Sequence, residues 1–130
     1  MVKTEKLESK KKILICEDEK PLARALELKL KSGGYEIITT YNGKEAIQEF
    51  NSDVDIVLLD LILPELDGFG VLKFIRQKNT KVPVVILSNL GQPEDRLRVK
   101  DLGATAYYIK SEMPLSKILE IVQFYLNDNK

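Results

Sequence analysis

The chain has no histidine and no tryptophan, and only one cysteine and two methionines among its 130 residues. Without histidine there is no imidazole general base, no histidine-based zinc site and no phosphohistidine formed on the chain itself. A single cysteine forms no internal disulfide, and a lone thiol suits a reducing compartment. An excess of either charge is also missing, because 20 Lys and Arg balance 20 Asp and Glu. Such a chain has no overall attraction to nucleic acid phosphates, so direct DNA or RNA binding is not expected. Long apolar runs are absent too. The longest, Ile56 to Leu63, is broken by Asp60 and falls far short of the ~20 residues of a membrane span. Neither membrane insertion nor a signal peptide is expected, and a cytoplasmic location follows.

What remains is ordinary globular material, 44% hydrophobic and 31% charged, of a length that suits one domain. The lysine-rich segment 1–11 reads as a solvated leader, and residues 12–128 as the single domain. Within that domain, short apolar runs alternate with amphipathic stretches. Ile13–Cys16, Tyr35–Thr40, Val54–Leu59, Val82–Leu87 and Thr105–Ile109 read as strands. Between them, Leu22, Leu26 and Leu30 mark a first helix that Gly33-Gly34 stops. Gly43–Phe50 is a second helix, and a third opens at Asp67-Gly68. A fourth runs from Pro93 to Gly103. The last, from about Pro114, carries Leu115, Ile118, Leu119, Val122, Tyr125 and Leu126 at helical spacing. Five strands alternating with five helices predict an α/β fold with a parallel sheet. The strands are continuous apolar runs, as befits strands covered by helices on both faces.

In such sheets ligands bind beyond the C-terminal ends of the strands. The residues found there are Glu17 and Asp18 after the first strand and Asp60 after the third. Ser88 and Asn89 follow the fourth, and Lys110 the fifth. If strands one and three are neighbours, Glu17, Asp18 and Asp60 share one cleft and repel one another. A divalent cation resolves the repulsion, and an all-oxygen donor set favours Mg2+ (or Mn2+). Mg2+ takes only one or two carboxylates and leaves room for a phosphoryl group. A carboxylate beside it can attack phosphorus and form an acyl phosphate. Asp60 is the candidate nucleophile. The cation, Lys110 and Ser88 with nearby backbone N–H groups would cover the three equatorial oxygens.

Taken together, these pieces resemble the receiver domain of two-component response regulators. The resemblance covers about residues 11–128. It rests on Ile13-Leu14-Ile15-Cys16-Glu17-Asp18-Glu19, Val57-Leu58-Leu59-Asp60, Pro64-Glu65-Leu66-Asp67-Gly68, Pro83-Val84-Val85-Ile86-Leu87-Ser88, Gly103-Ala104 and Tyr107-Tyr108-Ile109-Lys110. It implies a flavodoxin-like (βα)5 three-layer sandwich, with strand order 2-1-3-4-5. It makes Asp60 the phosphoryl acceptor, Glu17 and Asp18 the acidic pair that holds Mg2+, and Ile62 a donor of its backbone carbonyl to the metal. Ser88 becomes the switch hydroxyl, Lys110 its phosphoryl-pairing partner and Tyr107 the aromatic switch residue. The donor would be a histidine kinase or phosphotransfer protein. The surface formed by helix 4, strand 5 and helix 5 would then change its affinity for a downstream protein. Such a chain catalyses its own phosphorylation and slow dephosphorylation without being a conventional enzyme.

The chain departs from the family in three places. Ser111 stands where proline usually follows the lysine. Asn89 stands where a small residue usually follows the switch hydroxyl; it is expected either to crowd the phosphoryl group or to bond it. Ile62 and Leu90, at positions that flank the phosphoryl site in receivers, are both apolar and cannot orient an attacking water. Three other readings compete. A nucleotide binder on this fold needs a Gly/Ser/Thr-rich loop after strand one, where this chain has Glu17-Asp18-Glu19. An aspartate-nucleophile phosphatase needs a second acid at position 62. An unphosphorylated scaffold of the same fold draws support from Asn89 and Ser111 alone. Individual residues also have plainer readings: Glu17 and Asp18, or Asp67, as helix caps, Cys16 as core, and one of Tyr107 and Tyr108 facing inward and the other outward.

Overall fold

The structure is a computed structural model that describes residues 10–128. Most of the segment read as a solvated leader lies outside the described residues; Lys10 and Lys11, within them, are exposed. The strands are β1 (Lys12–Cys16), β2 (Glu36–Thr40), β3 (Ile56–Leu59), β4 (Val84–Ser88) and β5 (Ala106–Ile109). The helices are α1 (Lys20–Ser32), α2 (Gly43–Glu49), α3 (Gly68–Lys78), α4 (Pro93–Asp101) and α5 (Ile118–Tyr125). All four strand pairings are parallel, in the order β2-β1-β3-β4-β5. No described helix is long and apolar enough to cross a membrane.

Side chains alternate across a strand, and here both faces are covered. Leu14, Cys16, Val57, Leu59, Val84 and Ile86 pack on one face against Ala46 of α2, Val71, Leu72 and Ile75 of α3 and Val99 of α4. Ile13, Ile15, Ile56, Leu58, Val85 and Leu87 pack on the other against Leu26 and Leu30 of α1 and Ile118 and Val122 of α5. Two apolar faces explain why the central strands read as unbroken runs. Cys16 is core, as its neighbours implied, and burial pushes its thiol pKa up to about 12.

Local chemistry sets the helix starts. Asn42 Oδ1 accepts from the Glu45 N–H at 2.8 Å, and Asp67 Oδ1 from the Gly70 N–H at 2.9 Å. Asp67 is therefore a cap, and neither Glu17 nor Asp18 caps α1, whose N-cap is Glu19. Helix α4 is lightly anchored. Val99 is its one buried residue. Two cation–π contacts supplement it, Arg96 over Tyr107 at 4.8 Å and Arg98 over Phe69 at 4.0 Å.

Two expectations need correction. The last α-helix begins at Ile118, after a 3-10 turn over Leu115–Lys117. There the Lys117 N–H bonds the Pro114 carbonyl at 2.9 Å, three residues back, and the first turn winds tighter than an α-helix. The two tyrosines of β5 do not divide into inward and outward. Tyr107 packs against one core and Tyr108 against the other, because both faces of the sheet are covered. Both stay half-buried because β5 is an edge strand.

The approach of α3 to the end of β3 is the tightest joint near the acidic residues. The Gly68 N–H bonds the Leu61 carbonyl at 2.9 Å, and a Cβ on Gly68 would collide with the Asp60 carbonyl and Leu61 Cα. Backbone atoms cannot move aside as a side chain can. Gly68→Ala is expected to destabilise the fold by about 1–3 kcal/mol, read as a lower urea midpoint. Gly34→Ala, with open space around it but a φ of +91°, serves as a comparison whose cost comes from backbone conformation alone.

Candidate functional site

The strand order reverses at β1 and β3, which places a crevice at their C-terminal ends. The β1–β3 register pairs Cys16 with Leu59. The next residues, Glu17 and Asp60, therefore emerge side by side. Their backbones stay in the ladder, with the Asp60 N–H on the Cys16 carbonyl at 3.0 Å and the Glu17 N–H on the Thr40 carbonyl at 3.0 Å. Both side chains are buried, Glu17 at 2% exposure and Asp60 at 3%, while Asp18 is exposed. One carboxylate oxygen from each of Glu17, Asp18 and Asp60 lies within 4.8 Å of the others.

Lys110 enters from the far edge of the sheet, one residue beyond β5. Its Nζ donates to Asp60 Oδ2 at 2.8 Å, to Glu17 Oε1 at 2.9 Å and to Glu19 Oε1 at 3.2 Å. The second oxygens are also engaged. The Ile62 N–H donates to Asp60 Oδ1 at 3.1 Å, and the Glu19 N–H to Glu17 Oε2 at 3.0 Å. Two opposing effects act on the ammonium. Burial alone would lower its pKa, but the hydrogen bonds and charges of Asp60 and Glu17 outweigh burial and hold it above the usual lysine range. Burial dominates at Glu17 and raises its carboxyl pKa, with Lys110 offsetting part of the shift.

Above these groups lies an open cleft of about 200 Å3, lined by Asp18, Glu19, Asp60, Ile62, Asn89 and Lys110. Three carboxylates and one ammonium line it, with Glu17 buried beneath. The donors are hard oxygens with no sulfur or imidazole among them, the set that suits Mg2+ or Mn2+. The surplus negative charge fits a divalent cation.

The other candidate residues lie around this centre. Ser88 is fully buried at the end of β4, and its Oγ accepts a long 3.4 Å bond from the Leu90 N–H. Asn89 lines the cleft mouth, but its Oδ1 accepts from the Ser111 N–H at 2.9 Å. The Lys110–Ser111 peptide is trans, since no cis bond occurs among the described residues. Tyr107 is not in the cleft; its hydroxyl donates to the Leu90 carbonyl, tying β5 to the loop between β4 and α4. Glu19 was not singled out from the sequence. Only its place beside Lys110 marks it, although the run Glu17-Asp18-Glu19 is acidic throughout.

An open parallel sheet with this reversal, and acidic residues gathered under a lysine at the reversal, defines a receiver-type α/β domain. The family comparison is specific: the model of the response regulator receiver domain matches residues 13–123, and the chain belongs to that family. A probable transcriptional regulator, ycf27, of Guillardia theta is 40% identical over 109 residues, covering 83% of this chain and 42% of its own length. The cell cycle response regulator CtrA of Brucella ovis is 39% identical over 100 residues, covering 76% of this chain and 43% of its own. The chain thus spans about two-fifths of the length of these curated relatives. Among solved structures, a two-component response regulator from Clostridium difficile superposes with a TM-score of 0.83 at 30% identity, covering 90% of this chain and 96% of that one. The non-phosphorylated HemR receiver domain of Leptospira biflexa gives 0.84 at 27% identity, covering 93% and 98%.

The lysine is what makes burial of two carboxylates tolerable. Replacing it with an isosteric apolar chain, Lys110→Met, leaves Glu17 and Asp60 facing each other without a counter-charge. In chelator, the variant is expected to lose roughly 3 kcal/mol of stability, measured by urea unfolding. A variant as stable as the native chain under those conditions would refute this account of the site.

Proposed function

We propose that the chain is a phosphorylation switch in which Asp60 accepts a phosphoryl group from a phosphohistidine on a histidine kinase or phosphotransfer protein. The observation that carries the reading is the Asp60 carboxylate itself. It lies at the base of an open cleft, 2.8 Å from a lysine ammonium and beside two further carboxylates.

In this reading an Asp60 carboxylate oxygen attacks phosphorus. An O–P bond forms as the donor's N–P bond breaks, and the electron pair leaves with the imidazole, which takes up a proton. Glu17, Asp18, Asp60 and the Ile62 carbonyl would hold Mg2+, directly or through water, and the cation when bound would neutralise charge on the phosphoryl oxygens. Lys110 follows the charge from Asp60 Oδ2 onto a phosphoryl oxygen. The Ile62 N–H steadies the other carboxylate oxygen. Ser88 turns its hydroxyl from Leu90 toward the new group, which releases the loop that Tyr107 grips. The lightly anchored α4 and the edge strand β5 then repack, and the face they share with α5 changes its affinity for a downstream protein. The name of the ycf27 relative supports an output in transcriptional control for that longer protein; for this chain the output partner is a protein.

Intact mass after incubation with Mg2+ and a small acyl phosphate tests the chemistry. One added phosphoryl group is expected on the native chain, with none on Asp60→Asn and none in chelator. No adduct on folded native protein with excess Mg2+ would turn the reading toward an unphosphorylated protein-binding scaffold. The adduct is also expected to be long-lived. Ile62, 55% exposed at the cleft, offers no group to orient an attacking water, and Leu90 likewise has none. Following the mass of the phosphorylated chain over time, without any phosphatase, checks this, and rapid loss would refute it.

A further inference from the structure

We infer that Asn89 is a positioning residue for Lys110, acting through its hydrogen bond to the Ser111 backbone. This rests on the proposed phosphoryl transfer to Asp60 and adds a residue to it. The last pairing of the β4–β5 ladder joins Ser88 to Ile109. Beyond it the strands part, and Lys110 must leave the sheet edge to reach Asp60 and Glu17. Ile109, on one side of the lysine, is held by the ladder. Ser111, on the other side, is held by Asn89, whose Oδ1 takes the Ser111 N–H at 2.9 Å across 22 residues of sequence. The side chain of Asn89 thus supplies one more rung where the backbone ladder has ended. The Lys110 backbone is pinned to the end of β4 on both flanks.

Two features of this sequence make the rung possible, and each requires the other. Position 111 must carry an N–H, which proline lacks. Position 89 must carry a short side chain ending in an acceptor, which alanine and glycine lack. The two departures noted at the sequence level, Asn89 and Ser111, are therefore one device. It also connects the loop that follows Ser88 to the loop that carries Lys110, so the two groups aimed at the phosphoryl oxygens share a support.

The test is a set of variants phosphorylated by a small acyl phosphate with Mg2+ and read by intact mass. Ser111→Ala keeps the N–H and should react at the native rate. Asn89→Ala should slow phosphorylation about fivefold, the rate equivalent of one hydrogen bond of roughly 1 kcal/mol. The Mg2+ concentration for half-maximal rate should stay unchanged, because no carboxylate is touched. In a Ser111→Pro background the bond is already gone, so adding Asn89→Ala should change the rate by less than about twofold. The same cost of Asn89→Ala in the Ser111→Pro background would mean that Asn89 acts on the phosphoryl group directly, and would overturn the inference. A slowed Ser111→Ala would overturn it as well.

A second measurement does not depend on phosphorylation. The Ser111 amide should exchange with solvent more slowly in the native chain than in Asn89→Ala. Equal exchange in both would remove the bond and the inference with it. If instead the Ser111 amide is protected but the native chain accepts no phosphoryl group, the proposed function fails while the bond stands, and the role in phosphoryl transfer falls with that function.

Discussion

The structure turns on one ammonium group shared by buried carboxylates. Glu17 and Asp60 sit at 2% and 3% exposure, where two negative charges side by side would each resist ionisation. Lys110 bridges them at 2.9 and 2.8 Å. The three residues each follow directly on β1, β3 and β5, two neighbours and the far edge of the sheet. The bridge forms only if the parallel ladder holds these strand ends level. In turn, the ladder can end in buried acids only because the bridge is there. Fold and site are one electrostatic arrangement.

Rigidity is distributed unevenly around that bridge. Strands β3 and β4 are buried throughout, with both faces of the sheet packed, and Gly68 locks α3 against the Asp60 backbone. On the β4–β5 side the anchoring is lighter. Strand β5 is half-buried throughout, and α4 buries only Val99. The loop between β4 and α4 is held by isolated hydrogen bonds: Tyr107 to the Leu90 carbonyl, the Leu90 N–H to Ser88, and the Ser111 N–H to Asn89. Few buried contacts mean a low cost of local rearrangement. A charge change at Asp60 would therefore be felt first on this side, which is why the proposed switch surface lies there.

Membership in the receiver family accounts for the architecture and the acidic cluster. It does not account for Asn89 and Ser111. Their bond replaces neither the acid cluster nor the lysine; it supports the lysine's backbone. The proposed chemistry and the proposed signalling surface share one domain built on a five-stranded sheet.

Much of this was legible in the residues. Unbroken apolar runs alternating with amphipathic stretches dictate buried parallel strands under two layers of helix. Polar residues that end those runs mark the functional end of the sheet. The Asp67 cap is local, so its place before Gly68 at a helix start identifies it; the Asn42 cap, equally local, emerged only with the structure. Other features depend on contacts that no local pattern encodes. Glu19 joins the bridge because β5 delivers Lys110 beside it, 91 residues away. Both tyrosines of β5 face packed layers because the sheet is covered on both sides, which a two-residue alternation cannot reveal. Asn89 and Ser111 read separately as two irregularities. Only the parting of β4 and β5 beyond Ser88 and Ile109 brings an acceptor and a free N–H within 2.9 Å. The order of residues thus determined which groups stand at the strand ends, through hydrophobic periodicity and local hydrogen bonding. The tertiary structure decided which of those groups touch, because that depends on strand order and register across the whole sheet.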